Sequence, residues 1–447
     1  MKNITYKRSK YTRVYSVNNN YYVYNSSTGF KAKVFDPKLI DQINRLECDE
    51  LINENEIDER LINAKLCLKS HLDEELILQR MIDTGLTNNN DRLRLIILPT
   101  RECNFRCVYC YEEKRNEHMT QQTVNNLINA VKTHLNEHNT IKSLQLEWFG
   151  GEPLLQYSTI IKVSKELKSF CSLKNVHFEM SMTTNGYLLT KKKAEELLKY
   201  NLNFYQITID GEEGSHDTLR PLKNGNPTFS TIYKNLLDIR DIKSDDLQIM
   251  IRINYHIGML ESIDDFLKQL KNDFDSKRFV VYMIKINPPD NSNLKFDFVT
   301  NKTEYIAQDY IFDLYKKVGL STENYLVNLN PLVSMCYARS NSVLVIDVDG
   351  TIRKCTEYLE DNDRNNIGTI QNGKIEIDEE MHSQWLYPPQ NQLKERGCYE
   401  CKDFPLCYGG LCPIHWFREG SISCSIYHSF TDKMLLSFFE NSDKENI

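Results

Sequence analysis

The chain has 447 residues, 26% of them charged and 40% apolar or aromatic, the balance of a soluble globular protein of about two to four domains. Its 55 basic against 62 acidic residues give a formal charge of −7 with no sustained basic run, which argues against a nucleic-acid or anionic-membrane partner. The N-terminus MKNITYKRSKYTRVYS carries charges without an apolar core behind them, and no apolar stretch is long enough to span a bilayer, so a cytoplasmic protein is expected.

Residues 11–34, YTRVYSVNNNYYVYNSSTGFKAKV, hold two or three β-rich runs broken by NNN and NSSTG, which read as hairpin turns. DPKLIDQINRL and ERLINAKLCLKSHLDEELILQRMI follow with apolar residues at helical spacing. The expectation is a small β-plus-helix module ending near the NNND turn at 88–91. From about 92 to 286 strands and helices alternate. LRLIIL, LQLEWF, VHFEMSM, FYQITI, LQIMIRI and FVVYMIKI read as six strands. In MTQQTVNNLINAVKTHLNEH between two of them, Val124, Leu127, Ile128, Val131 and Leu135 make one helical face. Such β–α repeats predict a parallel sheet, open or closed into a partial barrel, with functional residues at the C-terminal ends of the strands. Residues 302–320 read as a helix. The remainder reads as loop-rich, with one hairpin, SVLVIDVDGTIRKC, and a frayed tail, SDKENI.

Thirteen cysteines in a cytoplasmic chain point to metal or catalytic ligands rather than disulfides. Cys48, Cys67 and Cys171 stand alone in helical-looking segments and read as small buried apolar residues. The other ten fall into two patterns. CNFRCVYCYE places Cys103, Cys107 and Cys110 on one short loop after the first strand. Three thiolates on a cubane cluster leave one iron open, whereas a zinc knot would need a distant fourth ligand. Gly150, Gly151 and Glu152 follow the second strand; glycines let a ligand approach the backbone, and Glu152 is an acceptor for an ammonium group. Thr184 and Asn185 end the third strand, and Arg252 lies in the fifth.

C-x3-C-x2-C with an aromatic before its last cysteine, placed after strand one and followed by GGEP after strand two, resembles the radical S-adenosylmethionine superfamily. The resemblance implies a [4Fe–4S] cluster on Cys103, Cys107 and Cys110 whose open iron is chelated by S-adenosylmethionine. It implies that Gly150, Gly151 and Glu152 hold the amino group and that Tyr109 lies against the adenine. It puts Thr184, Asn185 and Arg252 at ribose and carboxylate contacts. Reductive cleavage then yields a 5′-deoxyadenosyl radical that abstracts a substrate hydrogen. The stretch HDTLRPLKNGNPTF at 216–229 resembles a segment of one branch of the superfamily.

The distal cysteines resemble the SPASM domain of that branch, with two auxiliary [4Fe–4S] clusters and hence three in all. By that resemblance Cys398, Cys401, Cys407 and Cys424 make one full four-thiolate set, and Cys336, Cys355 and Cys412 hold the other. Tyr408, Gly409, Gly410 and Leu411 separate Cys407 from Cys412, one residue more than the family pattern. NLNPLVSM before Cys336 has no cysteine, so the second set is expected to leave an iron open to water or a substrate thiol. Taken alone, Cys398, Cys401, Cys407 and Cys412 also read as a zinc ribbon, which leaves Cys336, Cys355 and Cys424 unexplained.

The expected architecture is therefore α/β: a leader-recognition-like, winged-helix-like peptide-binding domain at 1–90, a partial (β/α)6 TIM-like barrel at 91–300, and a bridging helix with the SPASM domain at 301–447. The resemblance implies a maturase of ribosomally made peptides. It would bind a precursor with its leader by strand addition and take electrons from a flavodoxin or ferredoxin. Its first expected product is a Cys thioether, followed by a side-chain carbon–carbon cross-link. An anaerobic sulfatase maturase making formylglycine is a further reading, although that group has an Asp where this chain has Thr356, followed by Glu357. A non-catalytic electron carrier is the reading from another class. Asp210, Asp217 and Glu357 are candidate bases, none singled out by the sequence.

Overall fold

The computed structural model describes residues 4–17, 19–87, 90–287, 297–300, 303–323, 329–331, 336–360, 362–410, 412–418, 420–422, 424 and 427–442. Its contacts group the chain into two compact units: residues 1–88, 322–339 and 386–447 in the first, and 89–321 with 340–385 in the second.

In the first unit, β1 (Thr5–Arg8) pairs antiparallel with β5 (Ile52–Asn53) and β6 (Cys67–Lys69). The expected hairpins form a meander of β2 (Thr12–Val17), β3 (Asn20–Asn25) and β4 (Phe30–Val34). Asp36 caps α1 (Pro37–Glu47) by accepting from the Lys38 N–H. The run 59–82, expected to be helical throughout, is instead broken into α2 (Glu59–Asn63), β6 and α3 (Glu74–Thr87). Lys65 turns left-handed at φ 57°, and Leu66 and Cys67 bury in a core with Tyr6, Val23, Ile43 and Ile52. Pairing with β1 satisfies this stretch's backbone while burying its apolar side chains, so the tertiary gain overrides the helical period. Cys67 is thus a buried strand residue. Cys171 is buried in a helix as expected, but Cys48 is exposed at the C-cap of α1 and is no core residue.

A second apolar cluster explains why the two chain ends share a unit. Tyr11, Leu78 and Ile82 pack with Leu393, Phe404, Tyr408 and Trp416. Tyr11 Oη donates to the Tyr399 carbonyl (3.2 Å), Ser26 Oγ to the Lys402 carbonyl (2.5 Å), and Arg13 pairs with Asp403 at 2.6 Å. The helix Tyr427–Ser442, absent from the sequence reading, stacks Phe439 on Tyr22 at 4.4 Å. The SDKENI tail begins at its last residue and otherwise lies outside the described residues.

In the second unit the six expected strands form one parallel sheet in chain order. They are β7 (Arg92–Ile97), β8 (Ser143–Trp148), β9 (His177–Thr184), β10 (Leu202–Thr208), β11 (Gln248–Tyr255) and β12 (Phe279–Lys285). Strand β9 shows why. Phe178, Met180, Met182 and Thr184 are buried, while Glu179, Ser181 and Thr183 on the other face are half-buried, the period-two signature of a sheet with one apolar and one polar side. The expected hairpin is β13 (Val343–Ile346) and β14 (Thr351–Arg353), and β13 adds in parallel to β7. A further hairpin, β15 (Asn366–Gln371) and β16 (Lys374–Ile377), turns at Asn372–Gly373, a dipeptide signal that the loop-rich reading passed over. The helix expected at 302–320 spans Glu304–Val318, with residues 301–302 outside the described set. No helix among the described residues is long and apolar enough to cross a membrane.

Candidate functional site

The ends of β7 to β11 converge on the loop carrying Cys103, Cys107 and Cys110. The two glycines after β8 are explained first by the protein itself. The Gly151 and Glu152 N–H groups donate to the Thr100 and Glu102 carbonyls (3.2 and 2.9 Å). A Cβ on Gly150 would lie 2.5 Å from the Thr100 oxygen, and one on Gly151 only 2.1 Å from the Glu102 oxygen. The GG pair thus lets two loops touch backbone to backbone beside the cysteines.

Glu152 is fully buried, and its carboxylate accepts from the Leu154 N–H (3.0 Å), the Thr184 hydroxyl (2.8 Å) and the Asn185 N–H (2.8 Å). Burial pushes its pKa up, and these three donors pull it down. Glu152 therefore fastens the end of β8 to the end of β9. Thr184 spends its hydroxyl proton on that link. Asn185 reaches Asn104 Oδ1 at 2.8 Å and lies 3.9 Å from Cys103 Sγ.

Tyr109 is fixed by its hydroxyl, which donates to Asp210 Oδ2 and accepts from Arg220 Nη1 (2.7 Å) and Asn254 Nδ2 (3.0 Å). Asp210 is fully buried, and its other oxygen accepts from the Asn254 N–H at 2.7 Å. Burial pushes the Asp210 carboxyl up, while Arg220, 3.8 Å away, pulls it down. Arg252 on β11 bonds Asn254 Oδ1 at 2.9 Å, which ties it to the same network. Of the three candidate bases, Asp210 is committed here. Asp217 Oδ1 caps the helix Phe229–Arg240 by accepting from the Thr228 and Phe229 N–H groups, and Glu357 is exposed.

The sequence reading singled out HDTLRPLKNGNPTF without a role for its residues. It clamps the cysteine loop. Arg106 and Val108 N–H donate to the Pro221 and Leu219 carbonyls, and Lys223 N–H to that of Asn104, all at 2.8–2.9 Å. Buried His216 accepts from the Asp210 N–H at Nδ1 (3.1 Å), so its Nε2 carries the proton towards Thr228 Oγ1 (3.0 Å). Arg220, Asn254 and His216 are site residues that the sequence did not single out. The signal for His216 and Arg220 was the density of His, Asp and Arg in one loop, whereas Asn254 lies on β11 without such a signal.

The donor set suits an anionic thiolate cluster. Burial pushes the Cys103 thiol up to about 12, Lys114 pulls it down, and the Phe105 N–H donates to its sulfur at 3.4 Å. Arg220 acts in the same direction on Cys107, and Lys114 bonds Cys110. Two cations and an N–H thus favour the deprotonated ligand form that iron requires. Among the described residues no three His, Cys, Asp or Glu side chains converge closely enough to hold a single metal ion. Below the site, β7 to β11 enclose a cavity of about 380 Å³ lined by Arg94, Gln145, Glu147, Ser181, Thr183 and Gln206.

In the first unit Cys398, Cys401, Cys407 and Cys424 line one cavity of about 150 Å³ together with Arg396 and Asp403. Cys412 and Cys336 belong to the same unit, while Cys355 is buried just past β14 in the other. Leu411 and most of NLNPLVSM lie outside the described residues.

Residues 97–271 match the model of the radical SAM superfamily. The cysteine-type anaerobic sulfatase-maturating enzyme of Clostridium perfringens (strain 13 / Type A) is 23% identical over 71% of this chain and 88% of its own length. The structure of native anSMEcpe with bound AdoMet and Kp18Cys peptide superposes with a TM-score of 0.60 at 20% identity, covering 78% of this chain and 99% of that one. That of Streptococcus suis SuiB bound to precursor peptide SuiA superposes at 0.52 and 15% identity, covering 94% and 99%. The fold is shared with both. The stretch that matches the radical SAM model carries the cysteine loop and the GGE segment at the ends of adjacent parallel strands.

Proposed function

We propose that the chain is a peptide maturase that modifies a ribosomally made precursor and installs a cross-link, with a Cys thioether as the first product to test. The cluster on Cys103, Cys107 and Cys110 with S-adenosylmethionine would supply a hydrogen-abstracting radical. Gly150, Gly151, Tyr109, Asn185 and Arg252 are the residues around which that cofactor would seat. Because the Glu152 carboxylate already accepts from three donors, the cofactor's ammonium would meet the surrounding backbone more than this side chain. Cys398, Cys401, Cys407 and Cys424 would hold one auxiliary [4Fe–4S] cluster, and Cys336, Cys355 and Cys412 another. The cavity between β7 and β11, lined by polar groups such as Arg94 and Glu147 and by apolar ones such as Met182 and Phe204, suits a peptide's amides and side chains.

The observation that carries the peptide reading is the N-terminal module. It has its own apolar core and a meander whose outer strand, β4, has no partner on one side among the described strands. An unpaired strand edge offers a peptide a row of backbone hydrogen bonds. SuiB bound to precursor peptide SuiA covers 94% of this chain, against 78% for anSMEcpe. Thr356 is the position that speaks against formylglycine formation.

The test incubates reduced, cluster-loaded protein with S-adenosylmethionine and a Cys-containing peptide encoded beside its gene. We expect 5′-deoxyadenosine, loss of two hydrogens from the peptide, and a cysteine that no longer reacts with iodoacetamide. Two hydrogens lost with an alkylatable cysteine would point to a carbon–carbon bond, and loss of the sulfur to formylglycine. No 5′-deoxyadenosine at all would sink the enzymatic reading. Iron should come to about twelve per chain, four for each cubane.

A further inference from the structure

Arg339 is fully buried, yet no carboxylate among the described residues pairs with it. It closes the turn Tyr337–Arg339 that follows Cys336, donating its backbone N–H to the Cys336 carbonyl at 2.9 Å. Its side chain reaches only neutral groups. Nε lies 3.3 Å from the Leu386 carbonyl, and Nη1 lies 3.3 Å and 3.0 Å from those of Tyr408 and Gly410. The Trp416 ring lies 5.1 Å from the guanidinium carbon, and buried Nη2 has no hydrogen-bond partner among the described residues. A buried, always-charged group without a counter-ion is costly, and carbonyl dipoles offset only part of that cost.

The loop that supplies two of those carbonyls also carries a cluster ligand. Tyr408, Gly409 and Gly410 all have positive φ (47°, 80° and 100°). This turns the Gly409 and Gly410 N–H groups to the Cys407 sulfur while the Tyr408 and Gly410 carbonyls face Arg339. Cys407 precedes the loop whose carbonyls hold the guanidinium and the Cys336 carbonyl accepts the Arg339 backbone N–H, so both cysteines would act on it once ionised as cluster ligands, as would Tyr408. The residue inserted relative to the family pattern falls within this loop.

We propose that Arg339, together with Arg396 on the cavity wall, is a charge partner of the iron–sulfur cluster held by Cys398, Cys401, Cys407 and Cys424, and that Arg339 raises this cluster's reduction potential. The proposal rests on the auxiliary-cluster reading above. Reduction takes one electron from a low-potential donor and adds a negative charge to an already anionic four-thiolate set. A fixed buried cation stabilises the reduced form more than the oxidised form. Arg339 is a positioning residue in this scheme and touches no substrate.

The test is an EPR-monitored redox titration of the full-length, cluster-loaded chain. The signal and iron lost in Cys398→Ala identify this cluster. Arg339→Gln keeps hydrogen-bond donors for the loop but removes the charge. It should shift the reduced-to-oxidised ratio at fixed potential at least tenfold towards oxidised, a midpoint lower by about 59 mV. Arg339→Lys keeps the charge and should shift the ratio less than threefold. If Arg339→Gln fails to load this cluster while Arg339→Lys loads it, the charge requirement is upheld. Both variants loading with an unmoved midpoint, or both failing to load, overturns the proposal. A wild-type chain in which Cys398→Ala removes neither iron nor signal refutes the cluster reading itself, and this proposal with it.

Discussion

Arg220→Met is expected to destabilise the sheet-bearing unit by about 3–5 kcal/mol, the usual cost of removing one partner from a buried ion pair. Asp210 is fully buried and Arg220 is 7% exposed, so water cannot take over the lost contact. Without Arg220 the carboxylate keeps the Tyr109 hydroxyl and the Asn254 donors but loses its only cation among the described residues. The double variant Arg220→Met/Asp210→Asn should recover most of that loss, because it removes the stranded charge as well. Chemical unfolding of wild type, both single variants and the double variant under identical cluster loading measures the cycle. An additive cycle would mean that the pair contributes nothing specific. Radical formation should stay low in the double variant even where stability returns, since Arg220 also holds Tyr109 and acts on Cys107.

Gly151→Ala should empty the three-cysteine site while leaving most of the chain folded. Its new Cβ would stand 2.1 Å from the Glu102 oxygen and 2.5 Å from the Glu102 carbon, both backbone atoms that no side-chain rotation can move aside. Relief requires the 100–102 segment to shift, and Cys103 is the next residue. The expected result is about eight irons per chain instead of about twelve. 5′-Deoxyadenosine formation should fall at least 100-fold, about 2.7 kcal/mol of lost transition-state stabilisation. Far-UV circular dichroism should change little. An alanine variant with full iron and normal cleavage would show that the loop tolerates displacement and that the glycine is needed elsewhere.

Much of the stretch 97–271 that matches the superfamily model was legible in the residues because its signals are local. The alternation along VHFEMSM, the helical face through Val124, Leu127, Val131 and Leu135, and the placing of CNFRCVYC after a strand all lie within windows of a few residues. Where two local signals competed, the reading failed. ERLINAKLCLKSHLDEELILQRMI has helical spacing throughout, yet Cys67–Lys69 form a strand whose partner, β1, lies some sixty residues earlier. The Asn372–Gly373 hairpin was readable and was passed over beside the cysteine-rich stretch.

By itself the sequence determined the six parallel strands, the loop of three cysteines, and the superfamily whose model residues 97–271 match. Only the tertiary structure decided what the other polar residues do. Glu152 reads as an acceptor for a ligand until Thr184 and Asn185 arrive from the next strand and occupy it. HDTLRPL is a patch of polar residues until its backbone closes on the cysteine loop about 110 residues away. Arg339 is one arginine among many until burial removes its water and leaves backbone carbonyls and the Trp416 ring around it. The physical reason is the same in each case. Spacing along a chain encodes periodicity, whereas desolvation and pairing depend on which distant segments are brought together, and those terms set the cost and the role of every buried charge.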